Sequence, residues 1–449
     1  QTAVGYMAVW QMGAIAVPLS QLFGPEALLF RLQDAGAVVG LVDAVSAPIV
    51  APLQAECPDL RVCLGLDPQC GETWLDCWDV FQKPPGKPWP LTLTKARDPA
   101  VLIYTSGTTG LPKGCIHPHR SIMHNVYAGT LWGAGSHENI ALCVVPMFHI
   151  TGIVVLLHTS IFLGATMVIM PRWDREMAGA LISRHRITHW TNIPTMVIDL
   201  LGSPNFDRFD LSSLIYIGGG GAGMPQAVAQ RLLELYGLSY IEGYGLTETA
   251  APSHSNPPDR PKQQCLGVPY ISADARVINP DTLQELPVGE SGEIIIRGPM
   301  VFDGYWKRPD ATAAAFIEFE GQRYFRSGDM GRVDNEGYFF MTDRLKRMIN
   351  ASGFKVWPAE VESLMFRHPA IQEACVIATQ DAYRGESVKA VVVLRAGQQG
   401  QVSEQDIIDW CRDNMAVYKA PRIVQFVTTL PKSGSGKVMW RALQEAELS

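Results

Sequence analysis

The residues best suited to chemistry form one run, Tyr104-Thr105-Ser106-Gly107-Thr108-Thr109-Gly110-Leu111-Pro112-Lys113-Gly114. Its glycines let backbone N–H groups approach an oxyanion closely, and its four Ser and Thr hydroxyls are further donors. Lys113 adds a positive charge. The apolar residues Val101-Leu102-Ile103 predict a strand just before it. Together these features favour a loop that holds a polyphosphate over an ordinary polar surface loop.

This loop is not a Walker A motif, which requires Gly-x-x-x-x-Gly-Lys followed by Ser or Thr. Lys113 follows a proline and precedes a glycine. The segment Ser435-Gly436-Lys437 also fails, because Pro431 replaces the first glycine and Val438 the hydroxyl residue. The sequence therefore excludes a P-loop NTPase.

Two other glycine-containing segments follow predicted strands. Leu214–Ile217 leads into Gly218–Gly221, and Leu238–Ile241 leads into residues 242–249, Glu-Gly-Tyr-Gly-Leu-Thr-Glu-Thr. Nucleotides bind at the carboxyl ends of parallel strands in α/β folds. We therefore expect the loops 104–114, 218–223 and 242–249 to meet at one edge of a parallel sheet.

Length and composition limit the class of protein. A chain of 449 residues predicts two or three domains, and a net charge of −7 gives no sign of nucleic-acid binding. Its nine cysteines are scattered without a Cys-x-x-Cys pair, which favours a reduced, cytoplasmic protein without zinc. Residues 153–170 predict a buried helix running into a strand rather than an integral membrane segment. The chain starts at Gln1 without an initiator methionine, and residues 5–19 resemble a motif that usually lies well inside an N-terminal domain, so we expect a leading segment of this domain to be missing.

The pattern of elements predicts an α/β fold with two parts. A large N-terminal domain, 1–343, combines α/β layers with a β-rich subdomain over 265–340. A hinge at 344–346 leads to a small, mobile α+β domain at 347–449. In that domain a helix is predicted from Ser403, whose Ser-x-x-Asp sequence is typical of a helix cap.

These motifs closely resemble those of the adenylate-forming superfamily, which includes acyl-CoA synthetases, luciferases and peptide-synthetase adenylation domains. The resemblance covers essentially the whole chain. It implies ATP, Mg²⁺ and coenzyme A as cofactors, and a small-molecule carboxylic acid as the partner that is activated. It implies that the run 104–114 binds phosphates through Thr105, Ser106, Gly107, Thr108, Thr109, Gly110 and Lys113.

The same resemblance implies roles for other residues. Gly220, Gly221 and Ala222 would line one side of the adenine. Tyr244 would stack on the other side, and it belongs to a nucleotide-binding segment that also contains Glu242, Gly243 and Gly245. Thr247 would bind the α-phosphate and Glu248 would hold Mg²⁺. Asp329 would bind the ribose hydroxyls, with Arg344 near the ribose and Lys346 at the hinge. Lys437 would be the catalytic lysine, and His149 would be part of the acyl gate. The face that receives CoA would contain Ser352, Gly353 and Lys355.

The acid is less closely defined. No carboxylate lies between Pro146 and Ser160, which argues against an amino-acid substrate, and Asn350 replaces a lysine of luciferases. Gly245 stands where acetyl-CoA synthetases carry tryptophan, which implies room for a larger acid. We expect a medium-to-long-chain fatty acid–CoA ligase. The alternatives are an aryl or other bulky carboxylate–CoA ligase, a carrier-protein-loading domain, and a nucleotide-binding module without catalysis.

The remaining predictions are structural. His117, His119, His124, His185 and His189 are expected to be structural rather than metal ligands. No internal repeat was found. The oligomeric state, monomer or homodimer, stays open.

Overall fold

A computed structural model describes residues 1–449 except 21–22, 67–69, 71–74, 77–91, 106–111, 345–346, 352–353, 382–384, 433–437 and 449, and omits the side chains at 75–76, 343–344, 354–355 and 385. The contacts of the chain divide it into two units. Unit 1 is Gln1–Gln263, Pro269–Asp274 and Arg297–Glu318, and unit 2 is Gln264–Val268, Ala275–Ile296 and Phe319–Ser449. The predicted hinge at 344–346 stays a prediction, since residues 345–346 lie outside the described part.

The strands are β1 Val39–Val42, β2 Val62–Gly65, β3 Leu75–Asp76, β4 Pro99–Thr105, β5 Lys113–Pro118, β6 Ile140–Cys143, β7 Thr166–Ile169, β8 His189–Asn192, β9 Tyr216–Gly220, β10 Ile241–Leu246, β11 Ala251–Ser255, β12 Val268–Pro269, β13 Asp274–Ile278, β14 Gly292–Arg297, β15 Gly304–Tyr305, β16 Phe316–Phe319, β17 Gln322–Val333, β18 Phe339–Arg344, β19 Ile349–Ala351, β20 Phe354–Val356, β21 Ile371–Asp381, β22 Gly385–Leu394 and β23 Ile423–Phe426.

The α-helices are α1 Thr2–Gln11, α2 Pro25–Ala35, α3 Ala47–Leu53, α4 His119–Trp132, α5 Thr159–Leu163, α6 Arg175–His185, α7 Pro194–Leu201, α8 Gln226–Tyr236, α9 Pro309–Ala314, α10 Pro358–Met365, α11 Glu404–Asn414 and α12 Trp440–Leu448. A π-helix, Gly152–His158, leads directly into α5, and the short 3-10 turn Thr247–Thr249 follows β10. Several helices begin with proline, which suits a first turn because its missing N–H has no intrahelical acceptor there.

The main sheet of unit 1 runs in the order β11-β10-β9-β8-β6-β7. Its neighbours pair in parallel except β10 and β11, which are antiparallel. One face carries Leu142, Trp190 and Ile217, all at most 1% exposed, against an apolar core that includes residues of α6, α7 and α8. A parallel sheet needs helices on its faces to bury both of them, and this face is covered in that way.

The strand that precedes the phosphate loop does not belong to the parallel sheet. β4 pairs antiparallel with β5, with Thr105 opposite Lys113, in a separate sheet of order β15-β5-β4. The prediction that loop 104–114 lies at the carboxyl edge of a parallel sheet is therefore wrong. A short apolar run such as Val101–Ile103 indicates a buried strand but carries no information on the direction of its neighbour.

Strands β9 and β10 extend further than predicted. The first three glycines of 218–221 belong to β9, and residues 242–246 belong to β10, so only 247–249 form a turn. Glycine usually indicates a loop. Here glycine is required inside the strands by close backbone contacts, since a Cβ at Gly219 would lie 1.8 Å from the carbonyl oxygen of Asn192.

Unit 2 contains two sheets. One has the order β13-β14-β17-β16 with β18 paired to β17, and the other has the order β20-β19-β22-β21 with β23 paired to β22. The second sheet packs on α10 and α11 through a core that includes Val361, Val376 and Ile407. Ser403 caps α11 as predicted, because its Oγ accepts from the N–H of Asp406 and the Asp406 carboxylate accepts from the N–H of Ser403.

The apolar segment 153–170 is a helix followed by strand β7, as predicted. Among the described residues, no helix is long and apolar enough to cross a membrane.

Candidate active site

Strand β5 places three side chains at alternate positions, and therefore on one face: Lys113, Cys115 and His117. Lys113 Nζ lies 5.2 Å from the ring centre of Tyr305. The Cys115 thiol hydrogen-bonds to the Glu248 carboxylate, and His117 Nε2 lies 2.6 Å from the carbonyl oxygen of Thr247. The end of the predicted phosphate loop is thus joined to the predicted Thr-Glu motif.

Glu248 is held from several sides. The Tyr305 hydroxyl donates to its Oε1 at 2.9 Å, and the N–H of Phe302 donates to its main-chain oxygen at 2.8 Å. Burial, with Glu248 as a neighbour, raises the pKa of the Cys115 thiol and of the Tyr305 phenol. Both are therefore neutral donors at pH 7, and they orient the carboxylate without adding charge.

This carboxylate fits the predicted role in holding Mg²⁺, because Mg²⁺ prefers carboxylate oxygens and usually takes its other ligands from phosphates and water. Across the described part of the chain, no group of three or more His, Cys, Asp or Glu side chains could form a metal site by itself.

The turn that carries Thr247 and Glu248 is fixed by a residue of α4. Asn125, 3% exposed, donates from Nδ2 to the carbonyls of Thr249, Ala250 and Pro252 at 2.8–3.0 Å. Ala250 and Ala251 have φ values of 51° and 80°, which are unfavourable for residues with a Cβ. The buried amide stabilises this conformation.

His117 supports the same turn. It is fully buried, and burial lowers its pKa to about 4, so the imidazole is neutral at pH 7. Because its Nε2 faces a carbonyl, this nitrogen carries the proton and donates to Thr247. His117 was predicted to be structural, but its contact with Thr247 was not predicted. The sequence signal for this contact is that His117 lies four residues after Lys113 and therefore on the same face of the strand.

The base of the phosphate loop is fixed by Asp34, at the end of α2. Asp34 accepts from the Tyr104 hydroxyl at 2.7 Å and from Arg308 at 2.8 Å. The main-chain N–H of Trp306 also donates to the carbonyl of Gly114 at 2.7 Å. Sequence reasoning missed Asn125, Tyr305 and Asp34, because their partners are distant in the chain.

The glycine segment after β9 is exposed at 221–223, and Gly221 has a φ of 87° that favours glycine. Glu242, 5% exposed, accepts from the N–H of Met224 at 2.6 Å and so holds the end of this segment against β10. Tyr244 is 7% exposed and its ring lies 5.6 Å from that of His254. Stacking of Tyr244 on adenine, with Gly220, Gly221 and Ala222 on the other side, stays a prediction.

Gly245 lies against the backbone of the neighbouring strand. A Cβ at this position would lie 1.7 Å from the carbonyl oxygen of Ala251. Glycine is therefore required by the close approach of β11. That Gly245 also leaves room for a larger acid stays a prediction.

His149 precedes the π-helix and is half-buried. Its Nδ1 accepts from the N–H of Thr151 at 3.3 Å. The next turn is tight, since a Cβ at Gly152 would lie 2.2 Å from the carbonyl of Pro146. The acyl-gate role of His149 stays a prediction.

Asp329 belongs to unit 2 and is 1% exposed. It lies within β17, where the preceding Gly328 has a φ of 69° and donates from its N–H to Glu293, while Arg326 pairs with the same carboxylate. Asp329 lies opposite Arg344 in the pairing of β17 and β18. Their roles at the ribose stay predictions.

Several predicted site residues lie outside the described part of the structure: Ser106, Gly107, Thr108, Thr109, Gly110, Lys346, Ser352, Gly353 and Lys437. Only the backbone is described for Arg344 and Lys355. Thr105 is described, and its hydroxyl donates to the carbonyl of Lys113 at 3.4 Å.

Comparison with known proteins identifies the family. The model of the AMP-binding enzymes matches residues 1–306, and that of the AMP-binding enzyme C-terminal domain matches residues 360–437. The chain belongs to the AMP-binding enzyme family. The predicted resemblance to adenylate-forming enzymes is thus confirmed, and relatives of this chain are named as CoA ligases and CoA synthetases.

Relatives in this family include ligases of unlike acids. The chain is 38% identical to the long-chain-fatty-acid–CoA ligase of Bacillus subtilis over 353 residues, which cover 78% of this chain and 62% of that protein. It is 35% identical to the feruloyl-CoA synthase of an Amycolatopsis species, over 96% of this chain and 84% of that protein. The alignment thus spans less than two thirds of the Bacillus ligase.

Solved structures of adenylate-forming enzymes confirm the predicted fold class. ATP-bound MatB from Rhodopseudomonas palustris has a TM-score of 0.90 at 28% identity, covering 99% of this chain and 86% of that chain. The anthranilate–CoA ligase AuaEII, in complex with anthranoyl-AMP, has a TM-score of 0.88 at 28% identity, covering 98% and 84%. Adenylate-forming CoA ligases use ATP, Mg²⁺ and CoA.

Proposed function

We propose that this protein is an ATP- and Mg²⁺-dependent ligase that activates a carboxylic acid as acyl-AMP and then transfers the acyl group to CoA. The observation that carries the proposal is the face of β5, where Lys113, Cys115 and His117 meet Tyr305, Glu248 and Thr247. This face joins the lysine of a phosphate loop to an oriented carboxylate.

In the first step, a carboxylate oxygen of the acid attacks the α-phosphorus of ATP, and the bond to pyrophosphate breaks. Both reactants are anions, so cationic groups must offset their repulsion. Lys113 and Lys437 would supply positive charge, and Glu248 would hold Mg²⁺, which would supply further positive charge at the phosphates. Thr247 binds the α-phosphate, on a turn that His117 and Asn125 hold in place.

In the second step, the CoA sulfur attacks the acyl carbon and the bond to AMP breaks, giving the thioester and AMP. We infer that Lys437 serves the first step, and that Gly353, on the face with Ser352 and Lys355, serves the second. A change in domain orientation about Lys346 would separate the two. Matching of residues 360–437 to the family's C-terminal domain supports the assignment of Lys437 to this part of the enzyme.

For the acid, we propose two classes. A medium-to-long-chain fatty acid is favoured by the 38% identity to the Bacillus ligase, and an aromatic acid by the feruloyl-CoA synthase, whose alignment covers more of both chains. We also propose that the protein works in the cytoplasm, on the grounds of its scattered cysteines.

The proposal is tested by pyrophosphate release and thioester formation over alkyl and aryl acids, with CoA or a carrier protein as acceptor. Lys437→Ala is expected to abolish acyl-AMP formation and to leave thioester formation from supplied acyl-AMP largely intact. Gly353→Leu is expected to do the reverse. Equal losses in both half-reactions would contradict the division of roles, and no pyrophosphate release with any acid would contradict the ligase function.

A further inference from the structure

The carboxyl end of α2 is bound by a segment that follows it by 272 residues. The last carbonyls of a helix have no donor within the helix. In α2, two of them accept from N–H groups just beyond its end, those of Gly36 and Ala37. The carbonyl of Asp34 accepts instead from Trp306 Nε1 at 2.9 Å and from Lys307 Nζ at 2.8 Å. The charge of Lys307 is also favourable here, at the negative end of the helix dipole.

The side chain of Asp34 binds two further groups. Its Oδ2 accepts from the hydroxyl of Tyr104, on β4, at 2.7 Å, and its Oδ1 accepts from Arg308 at 2.8 Å. The carboxylate is only 10% exposed, and these two donors, one neutral and one charged, compensate for its burial. Burial, and then the bond to Asp34, raise the pKa of the Tyr104 phenol, so the hydroxyl keeps its proton and donates. Asp34 thus accepts from Tyr104 and from each of residues 306–308.

The segment 306–308 forms a strained turn between β15 and α9. Lys307 has a φ of 52°, in the left-handed region that residues with a Cβ rarely adopt. Such a conformation persists only where the surrounding structure imposes it. The bonds from all three residues to Asp34 provide that constraint.

The same turn positions groups of the candidate active site. Directly before it, the Tyr305 hydroxyl donates to Glu248 Oε1 at 2.9 Å. Within it, the main-chain N–H of Trp306 donates at 2.7 Å to the carbonyl of Gly114, at the end of the phosphate loop. Through this turn, Asp34 is therefore connected both to the phosphate loop and to the donor that orients the Glu248 carboxylate.

We propose that Asp34 is a positioning residue that couples the phosphate loop to the Glu248 carboxylate, so that both meet MgATP in one fixed arrangement. The proposal rests on the proposed ligase function and adds a residue that acts in its first step. Asp34 itself contacts neither reactant, and it acts through Tyr104 and through the turn at 306–308. Its substitution should therefore weaken the binding of MgATP. Transfer of the acyl group from acyl-AMP to CoA involves no pyrophosphate group and should be affected little.

The test uses Asp34→Asn, which keeps the size of the side chain and removes its charge. In ATP–pyrophosphate exchange we expect KM for MgATP to rise about tenfold, as for other residues that support a metal-binding carboxylate, while kcat falls by less than about threefold. Thioester formation from supplied acyl-AMP should stay within about twofold of the wild type. A variant that was only less completely folded would lose both activities equally and keep the wild-type KM.

A second variant tests the route through the strained turn. Glycine occupies the left-handed region without steric cost, so a turn with glycine at position 307 depends less on Asp34. Adding Lys307→Gly to Asp34→Asn should therefore lower the raised KM for MgATP by at least about threefold. Tyr104→Phe removes only the bond to β4 and should raise this KM about threefold, so that poor folding of one variant does not decide the question.

The matched control is Asp199→Asn. Asp199, on α7, accepts from Trp173 Nε1 at 2.8 Å and from Arg175 at 3.1 Å. It therefore also binds an aromatic donor and an arginine, but none of these residues belongs to β4, β5 or the turn at 306–308. This variant should keep the wild-type KM for MgATP.

An unchanged KM for MgATP in Asp34→Asn and Tyr104→Phe, or equal losses in exchange and thioester formation, would overturn this inference while leaving the ligase function intact. A double variant that recovers nothing on addition of Lys307→Gly would also overturn it, because the turn would then not be the route. Absence of exchange with every acid in the wild type would overturn the ligase function and the inference together.

Discussion

Two polar clusters in unit 1 differ in how their groups are paired. Around Glu248, the Tyr305 hydroxyl, the Cys115 thiol and the His117 imidazole each meet an acceptor within the protein. In the described part of the chain, the Tyr216 and Tyr270 hydroxyls have no protein partner, and neither is among the buried unpaired atoms, so water reaches both. The first cluster is therefore held in place by the protein itself, whereas the groups around Tyr216 are paired with solvent.

This difference separates two kinds of contribution. Preorganised groups stabilise charge in the reaction whatever acid is bound, because their geometry does not depend on it. The groups around Tyr216, which are paired with solvent, have no such fixed geometry. Substitutions in the first cluster should therefore affect all acids alike.

The largest effect is expected for Glu248→Gln. The amide removes the charge that holds the cation, so ATP–pyrophosphate exchange should fall on the order of 1000-fold. The fall should be the same within about threefold for cinnamate, hydroxycinnamate and octanoate. Thioester formation from supplied acyl-AMP is the internal control, and an acid-dependent loss would contradict the separation of the two clusters.

The next effect concerns pH. The folded pKa of His117, about 4, lies below the ordinary value near 6.5, so the unfolded chain binds a proton that the folded chain does not. Stability should therefore fall as the pH falls from about 6.5 to 4. At about 1.4 kcal/mol per pKa unit, His117 contributes roughly 3 kcal/mol to this loss.

Urea unfolding between pH 7.5 and pH 4.5 checks this prediction. His117→Gln keeps a donor for Thr247 but does not titrate, so its stability should depend less on pH than that of the wild type. His158 and His254, whose pKa values burial lowers to about 4 and about 3, leave part of the dependence in place. Identical pH dependence in both proteins would show that His117 is not responsible.

A smaller effect is expected for Gly245→Ala. The new Cβ would meet the Ala251 carbonyl, so the variant should lose about 1–3 kcal/mol of unfolding free energy. Activity should decline equally on all acids. Gly24→Ala, where no atom lies within 4 Å of the added Cβ, is the control. A selective loss of larger acids would support the acyl-pocket interpretation.

The smallest effect is expected for Tyr305→Phe. Removing a neutral donor from a metal-binding carboxylate should weaken Mg²⁺ binding about tenfold. Mg²⁺ titration of pyrophosphate exchange measures this, and Mn²⁺ binding in the presence of ATP, followed by electron spin resonance, gives a second readout. Tyr216→Phe is the control, since in the described part of the chain Tyr216 makes no hydrogen bond to Glu248 and its substitution should not change cation affinity; an equal loss of affinity in both variants would contradict the comparison.

Local sequence was sufficient for features that depend on neighbouring residues. The cap at Ser403, the helix and strand within 153–170 and the β-rich region over 265–340 were predicted and are present. The run 104–114 and the string 242–249 resembled one superfamily closely, and the comparisons confirmed that family. Such features are set by short-range chemistry, so a single sequence contains them.

Tertiary structure decided how these motifs meet. Because β4 pairs with β5, Cys115 and His117 face the turn at Thr247–Thr249, and His117 lies 130 residues before Thr247 in the sequence. Tyr305 contacts Glu248, which lies 57 residues earlier in the sequence. The backbone of β11 explains why position 245 is glycine. Strand direction, register and the choice of face arise from long-range packing, which residue types and spacing alone do not encode.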